Sequence, residues 1–171
     1  MKKSICVTLL CALAFSAVGC TPQAKKVHLS ERFDSVQAAT MLADGANTLT
    51  GNAFMRQAGG GVVTCAGSPV HLIPATSYAT ERMSHLYGNA TSGVTMNPIT
   101  FEPNEPEYTR LMRKETCDSQ GNFAFEKVAD GTYYITTTVQ WLAGPYNPQG
   151  GALMKKISLS GGGTQKVVMS H

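Results

Sequence analysis

The sequence predicts an all-β domain: a seven-stranded Greek-key β-sandwich, with a short helix in a long insert and a helical N-terminal segment. Three observations carry this. From about residue 48 onward, apolar residues recur with a period of two, the spacing that puts alternate side chains on one face of a strand. The alternating runs are short. Glycine-rich breaks separate them, at Gly59-Gly60-Gly61, at GPYNPQGG (144–151) and at Gly161-Gly162-Gly163.

The elements follow in order. SVQAATMLADG (35–45) is spaced for two or three helical turns ended by Gly45. TLTGNAFMRQ (48–57) reads as the first strand. GVVTCAG (61–67) sets Val63 and Cys65 on one face, and SPVHLIP (68–74) sets Val70 and Leu72 on one face. The alternation changes phase between Cys65 and Val70, so Gly67-Ser68-Pro69 must be a turn or bulge. TSYATERMSHLYG (76–88) is a helix with Ser77 as its cap and Gly88 beyond its end. NATSGVTMNPITFEPNEPE (89–107) is rich in turn formers and reads as extended, irregular chain, the kind of long connection that often carries function.

The clearest pattern lies between 116 and 141. Phe123 and Phe125 alternate with polar residues, and Asp130-Gly131 supplies a turn. Tyr133, Ile135, Thr137, Val139 and Trp141 then share one face, with Tyr134, Thr136, Thr138 and Gln140 on the other. ALMKKISLS (152–160) and TQKVVMS (164–170) read as a closing hairpin.

The first twenty residues are of another kind. MKKSICVTLLCALAFSAVGC begins with two lysines, continues as an apolar run from Ile5 to Val18 and ends in small residues, the three-part layout of a secretory signal. The run is shorter than the roughly 20 residues a membrane-spanning helix needs. Ala17-Val18-Gly19-Cys20 resembles the signal of bacterial lipoproteins, which implies cleavage before Cys20 and lipidation (diacylation, palmitate-type chains) of that cysteine. Thr21, in place of an aspartate, implies by the same resemblance an outer-membrane destination. Two or more acyl chains would anchor the protein stably. The organisation expected is therefore a signal over 1–19, a lipid-anchored tether with a short helix over 20–47, and the sandwich over 48–171.

Without residues 1–19 the chain has 152 residues and 12 Lys+Arg against 11 Asp+Glu. This near-neutral balance, with no basic stripe, argues against a nucleic-acid partner. Cys6 and Cys11 leave with the signal, so Cys65 and Cys117 remain in an oxidising compartment, where a disulfide is expected and two buried free thiols are the alternative. Closing a loop of that length is worth about 4 kcal/mol in the chain-entropy model.

The frame Cys117-Asp118-Ser119-Gln120-Gly121-Asn122-Phe123-Ala124-Phe125, continued by Val128, Asp130-Gly131-Thr132-Tyr133 and Ile135, resembles carboxypeptidase regulatory-like domains. Gly67-Ser68-Pro69-Val70-His71-Leu72 resembles the strand entry of the same family. The resemblance implies a sandwich of transthyretin-like (prealbumin-like) type and a non-catalytic accessory or binding role. Cys117 stands where that family commonly has threonine, and the 75–113 insert is longer than the family's usual link.

Chemistry-bearing motifs are sparse. Asp118 with Gly121 suits a turn in which the carboxylate accepts backbone N–H groups, and a calcium array is absent. His28, His71, His85 and His171 are scattered without metal-ligand spacing, so no metal or other cofactor is expected. No nucleophile elbow appears. Glu102, Glu105 and Glu107 cluster in the insert and leave an envelope hydrolase as an alternative. Tyr78, Tyr87, Phe101, Tyr108 and Tyr146 fall in or beside loops. They either close the ends of the core or offer rings to a ligand, and Tyr78, Tyr87 and Tyr108 form the candidate binding surface. The function expected is non-catalytic binding or scaffolding in the cell envelope, at the outer membrane and facing the periplasm or the cell surface. Its partners would be the membrane, through the lipid anchor, and an envelope protein or glycan. A second alternative is an assembly lipoprotein of a secretion system, since the type VI secretion lipoprotein is similar in anchor and sandwich.

Overall fold

The longest strand organises the structure, a computed structural model that describes residues 24–171. In β2 (Asp44–Arg56) the side chains of Asn47, Leu49, Ala53 and Met55 turn inward by strict alternation, and Gly51 occupies the remaining inward position. A side chain at Gly51 would run into the Phe123 ring, so the glycine makes room for the neighbouring strand's phenylalanine. That strand is β8 (Asn122–Val128), antiparallel to β2. Its alternation slips once. Val128 pairs with Asn47 and Phe125 with Leu49, so two residues of β8 oppose one of β2, and Lys127 takes the left-handed conformation (φ 53°) that such a bulge requires.

β3 (Val62–Thr64) pairs antiparallel with the end of β2, on the far side from β11 (Gly163–Ser170), which lies parallel to β2 along its length. The second sheet is antiparallel throughout, in the order β5 (Ser92–Thr95), β10 (Pro148–Leu159), β9 (Gly131–Leu142), β4 (Pro69–Pro74), β7 (Arg113–Thr116). Leu49, Phe125, Val167 and Met169 of the first sheet face Val70, Leu72, Tyr133, Ile135, Val139 and Leu153 of the second, forming one buried core. The molecule is an all-β sandwich. Its two facing sheets hold nine strands among the described residues, four (β2, β3, β8 and β11) and five (β4, β5, β7, β9 and β10), against the seven expected; the short β3 and β5 make the difference.

The disulfide between Cys65 and Cys117 is present, with Cα atoms 5.8 Å apart and both residues buried in this core. It joins the chain just after β3 to the chain just after β7. Gly67-Ser68-Pro69 forms the expected turn, with Ser68 N–H donating to Cys65 O at 2.7 Å.

Three expectations need correction. The closing hairpin does not form: β10 pairs with β9, and the chain then crosses to the other sheet as β11. The crossing is possible because Gly161, Gly162 and Gly163 all adopt positive φ, and it is rewarded because Val167 and Met169 reach the core. The 20–47 segment is not a free tether from Lys25 onward. β1 (Lys25–His28) lies parallel to β6 (Ile99–Glu102), with Val27 and Leu29 buried. α1 (Ser35–Met41) ends four residues before Gly45, which lies inside β2. The insert holds the expected helix, α2 (Ser77–Tyr87), but Thr76 caps it in place of Ser77, because the Thr76 hydroxyl accepts from Ala79 N–H; the rest is more regular than expected, with β5, β6 and α3 (Pro106–Arg110).

The outer face of the second sheet is covered too. Tyr78, Ala79 and Met83 of α2 pack over Ile73, Tyr134 and Met154, and β1 and β6 complete this second core with Val27 and Phe101. One polar clasp holds the layers at the opposite side. The buried Asn47 amide donates to Val128 O at 2.9 Å and to Asp130 Oδ1 at 2.8 Å, and its oxygen accepts from Gly162 N–H at 3.0 Å. The readings for residues 1–19 and Cys20 lie outside the described residues. Among the described residues no helix is long and apolar enough to cross a membrane.

Candidate functional site

The three candidate tyrosines separate in the structure. Tyr78 and Tyr108 are 0% and 6% exposed, which removes them from any binding surface. The reason is the second core: Tyr78 stands in the first turn of α2 on the face that meets the sheet. Its ring packs edge-on against Tyr108 at 5.3 Å and Phe33 at 5.5 Å, a favoured aromatic geometry. Its hydroxyl donates to Pro103 O at 2.8 Å and accepts from Arg82 Nη1 at 3.2 Å. Burial pushes the Tyr108 hydroxyl up to about 12. Tyr87 is only half-buried. Its hydroxyl donates to Ala152 O at 3.2 Å, and burial raises its pKa to about 12. Phe101 belongs to the second core, whereas Tyr146 is 93% exposed.

The acids of the insert do not share one task. Glu102 pairs with Lys26 at 3.3 Å and with His28 at 3.6 Å, Glu107 faces Arg110 at 3.9 Å, and Glu105 sits at the N-cap of α3 without a capping bond. Asp118 is a turn residue. Its Oδ1 accepts from the N–H groups of Gln120 and Asn122, both at 2.8 Å. The Asn122 side chain, then these backbone donors, hold its carboxyl below the usual range. His71 is half-buried on β4, and burial followed by the nearby Lys114 charge lowers its pKa.

A more coherent arrangement lies at one end of the sandwich, where β9 and β10 meet the loop that follows β2. Val139 is the last fully buried side chain of the inward face of β9. Trp141, two residues on, keeps that facing but stands at the rim, packed against the core and partly open to solvent. On the neighbouring strand Gln149 pairs with Trp141, and the next residue, Gly150, has a left-handed φ of 93°. A Cβ there would run into Val139 O and come within 3.0 Å of the Trp141 ring, so the glycine lets the indole lie against the backbone.

A groove of about 420 Å³ opens beside this indole, with Gln57, Leu142, Asn147 and Gln149 along its walls. Both loops are internally fixed. Ala143 N–H donates to Asn147 O and Gln57 N–H to Gly61 O, each at 2.8 Å, and Gln149 Nε2 donates to Asn147 Oδ1 at 2.8 Å. Leu142, 66% exposed, lies on the wall, and Tyr146 follows in the same loop. Among the described residues no charged side chain lines the groove. Such a site offers an aromatic face, an apolar wall and three amide groups that donate and accept, which suits a ligand with C–H faces and hydroxyl edges.

The chain is similar to a candidate carbohydrate-binding protein of Pseudomonas aeruginosa known from its crystal structure. The two share 27% identity with a TM-score of 0.66, over 82% of this chain and 99% of that one. No protein-family model matches the chain, and no curated protein matches it.

Sequence reasoning placed Trp141 on the inner face and so passed over it as a core residue. The available signal was positional: the chain's single tryptophan closes a strand and runs directly into a loop rich in Pro, Asn, Gln and Gly.

Proposed function

We propose that this protein is a lipid-anchored component of the bacterial envelope whose sandwich binds a neutral glycan in the Trp141 groove, without catalysis. The observation that carries the reading is the pairing of a half-open indole with Gln57, Asn147 and Gln149 in a cleft free of charge. Sugar rings present a C–H face to an aromatic surface and hydroxyls to amides, and both needs are met here. The similarity to a candidate carbohydrate-binding protein supports the reading. So does the resemblance of the 117–135 frame to carboxypeptidase regulatory-like domains, which are generally non-catalytic modules. Anchoring rests on the Cys20 signal.

The test is binding of the purified domain to a panel of neutral polysaccharides, by affinity electrophoresis and calorimetry. Trp141→Ala should weaken the best-bound glycan about tenfold, corresponding to about 1.4 kcal/mol. Binding that is unchanged in Trp141→Ala, or absent across the panel, would overturn the assignment.

A further inference from the structure

On the other face of the second sheet, α2, the connection between β5 and β6, and the outward residues of β9 enclose a groove of about 490 Å³, within the size range of small-molecule clefts. Tyr87, Ile99 and Phe101 give it an apolar wall, Thr138 and Gln140 of β9 give it polar groups, and Met96, 57% exposed, stands at its lip. Among the described residues Arg82 is its one charged residue.

The placement of Arg82 is unusual. Its guanidinium carbon lies 4.2 Å from the Phe101 ring centre and 4.6 Å from that of Tyr108. Aromatic faces thus stabilise the charge, and among the described residues no carboxylate pairs with it. Of the neighbouring acids, Glu105, whose backbone N–H donates to the Tyr78 hydroxyl at 3.3 Å, makes no ion pair among the described residues, and the others are engaged. Glu81, the preceding residue, accepts from Ser30 N–H, Ser30 Oγ and Glu31 N–H at 2.8 to 3.1 Å. Glu102 and Glu107 pair with Lys26 and Arg110. Of the five N–H groups of a guanidinium, one donates to the Tyr78 hydroxyl and another is directed at the Tyr108 hydroxyl, which leaves the others for a ligand. The rings hold the guanidinium in place at these distances, and the N–H groups not given to the tyrosine hydroxyls are what a planar oxyanion uses.

We propose that this groove is a second binding site, which takes a carboxylate-bearing sugar residue, a uronate, with Arg82 holding the carboxylate and Thr138 and Gln140 meeting the ring hydroxyls. The proposal rests on the glycan-binding reading and extends it from neutral to acidic saccharide units. The charge comes from the sugar side because the groove itself contributes only the positive partner. The two grooves differ in kind: the Trp141 cleft has amides and no charge, and this one has a cation between aromatic rings.

The probe is trigalacturonate compared with its fully methyl-esterified form, which keeps every hydroxyl and removes the charge. Isothermal calorimetry should show the free acid bound at least tenfold more tightly than the ester, with the preference shrinking as salt rises. Arg82→Gln should abolish the preference. Because Arg82 also packs in the second core, Met96→Trp serves as an independent variant, filling the groove mouth from an exposed position, and it should likewise abolish the preference. Trp141→Ala should leave it intact. Failure to bind the acid, equal binding of acid and ester, or a preference that survives Met96→Trp would overturn this second site. A neutral glycan that still binds and still responds to Trp141→Ala would in that case leave the first reading standing.

Discussion

Asn47 and Asp130, 83 positions apart, are joined by a hydrogen bond of 2.8 Å from the amide Nδ2 to Oδ1. With Gly162 N–H on the Asn47 oxygen and Gly161 N–H on Asp130 Oδ2, the pair ties together the start of β2 and two of the crossings between the sheets, β8 to β9 and β10 to β11. Asn47 is 3% exposed, so its amide has no water to fall back on. Asn47→Leu should therefore cost about 1–3 kcal/mol, the range for buried polar partners left unsatisfied, measured by chemical denaturation. A surface substitution such as Asn97→Ala should cost much less.

The same clasp gives the stability a sign with pH. The Asn47 amide, then the Gly161 N–H, lowers the Asp130 carboxyl below its usual value, and Asp118 is lowered by its Asn122 contacts. A depressed carboxyl contributes stability that is full above the unfolded pKa, about 3.9, and is lost as pH falls through the folded value. The melting temperature should thus hold from neutral pH to about 4.5 and fall below about 4. Asp130→Asn should flatten that acid limb. An acid limb of the same steepness in both Asp130→Asn and Asp118→Asn would refute the assignment.

Reduction should be felt by the whole sandwich. Cys65 and Cys117 close a separation of 52 residues, and both are buried. Replacing both with alanine should lower the unfolding free energy by about 2–4 kcal/mol. Non-reducing peptide mass analysis of the native protein should recover the linked peptides and no alkylated thiol at either position.

Binding at the Trp141 cleft should be indifferent to pH. None of its lining side chains titrates between pH 5 and 9, so affinity for a neutral glycan should vary less than about twofold across that range. Gly150→Ala should weaken binding and stability together, since the added carbon meets Val139 O and the indole. A bell-shaped pH profile would place the ligand elsewhere.

Release from membranes tests the anchor. Cys20→Ala should move the protein from the membrane fraction to the soluble one, followed by fractionation and by loss of metabolic palmitate label. Retention in the membrane would show that something other than acylation holds it.

How much of this could be read in advance depends on where each residue's partner sits. β9 was legible because its inward set, Tyr133 to Val139, is long and alternates without a break. β1 was not, since Lys-Lys-Val-His holds one inward apolar residue and its partner β6 is more than seventy positions away. β11 was read as a hairpin strand because sequence neighbours usually pair, and nothing local reveals that three glycines send the chain to the other sheet. Tyr78 and Tyr108 looked available because both fall in or beside stretches that read as loops. What buries them is a covering layer assembled from α2, α3, β1, β6 and Phe33, which no short window contains. The Trp141 cleft joins residues 57–59 to 141–149, and only the folded ladder brings those together.

The early start of β1 sets a distance. For a chain held by lipid at Cys20, four residues separate the anchor from Lys25, where pairing with β6 begins. Fully extended, five residue steps span roughly 17 Å. Such a domain would ride close above the bilayer, with too short a lead to search the space beyond it. Any saccharide it captures would have to come to the membrane, so the reach in that encounter would belong to the glycan.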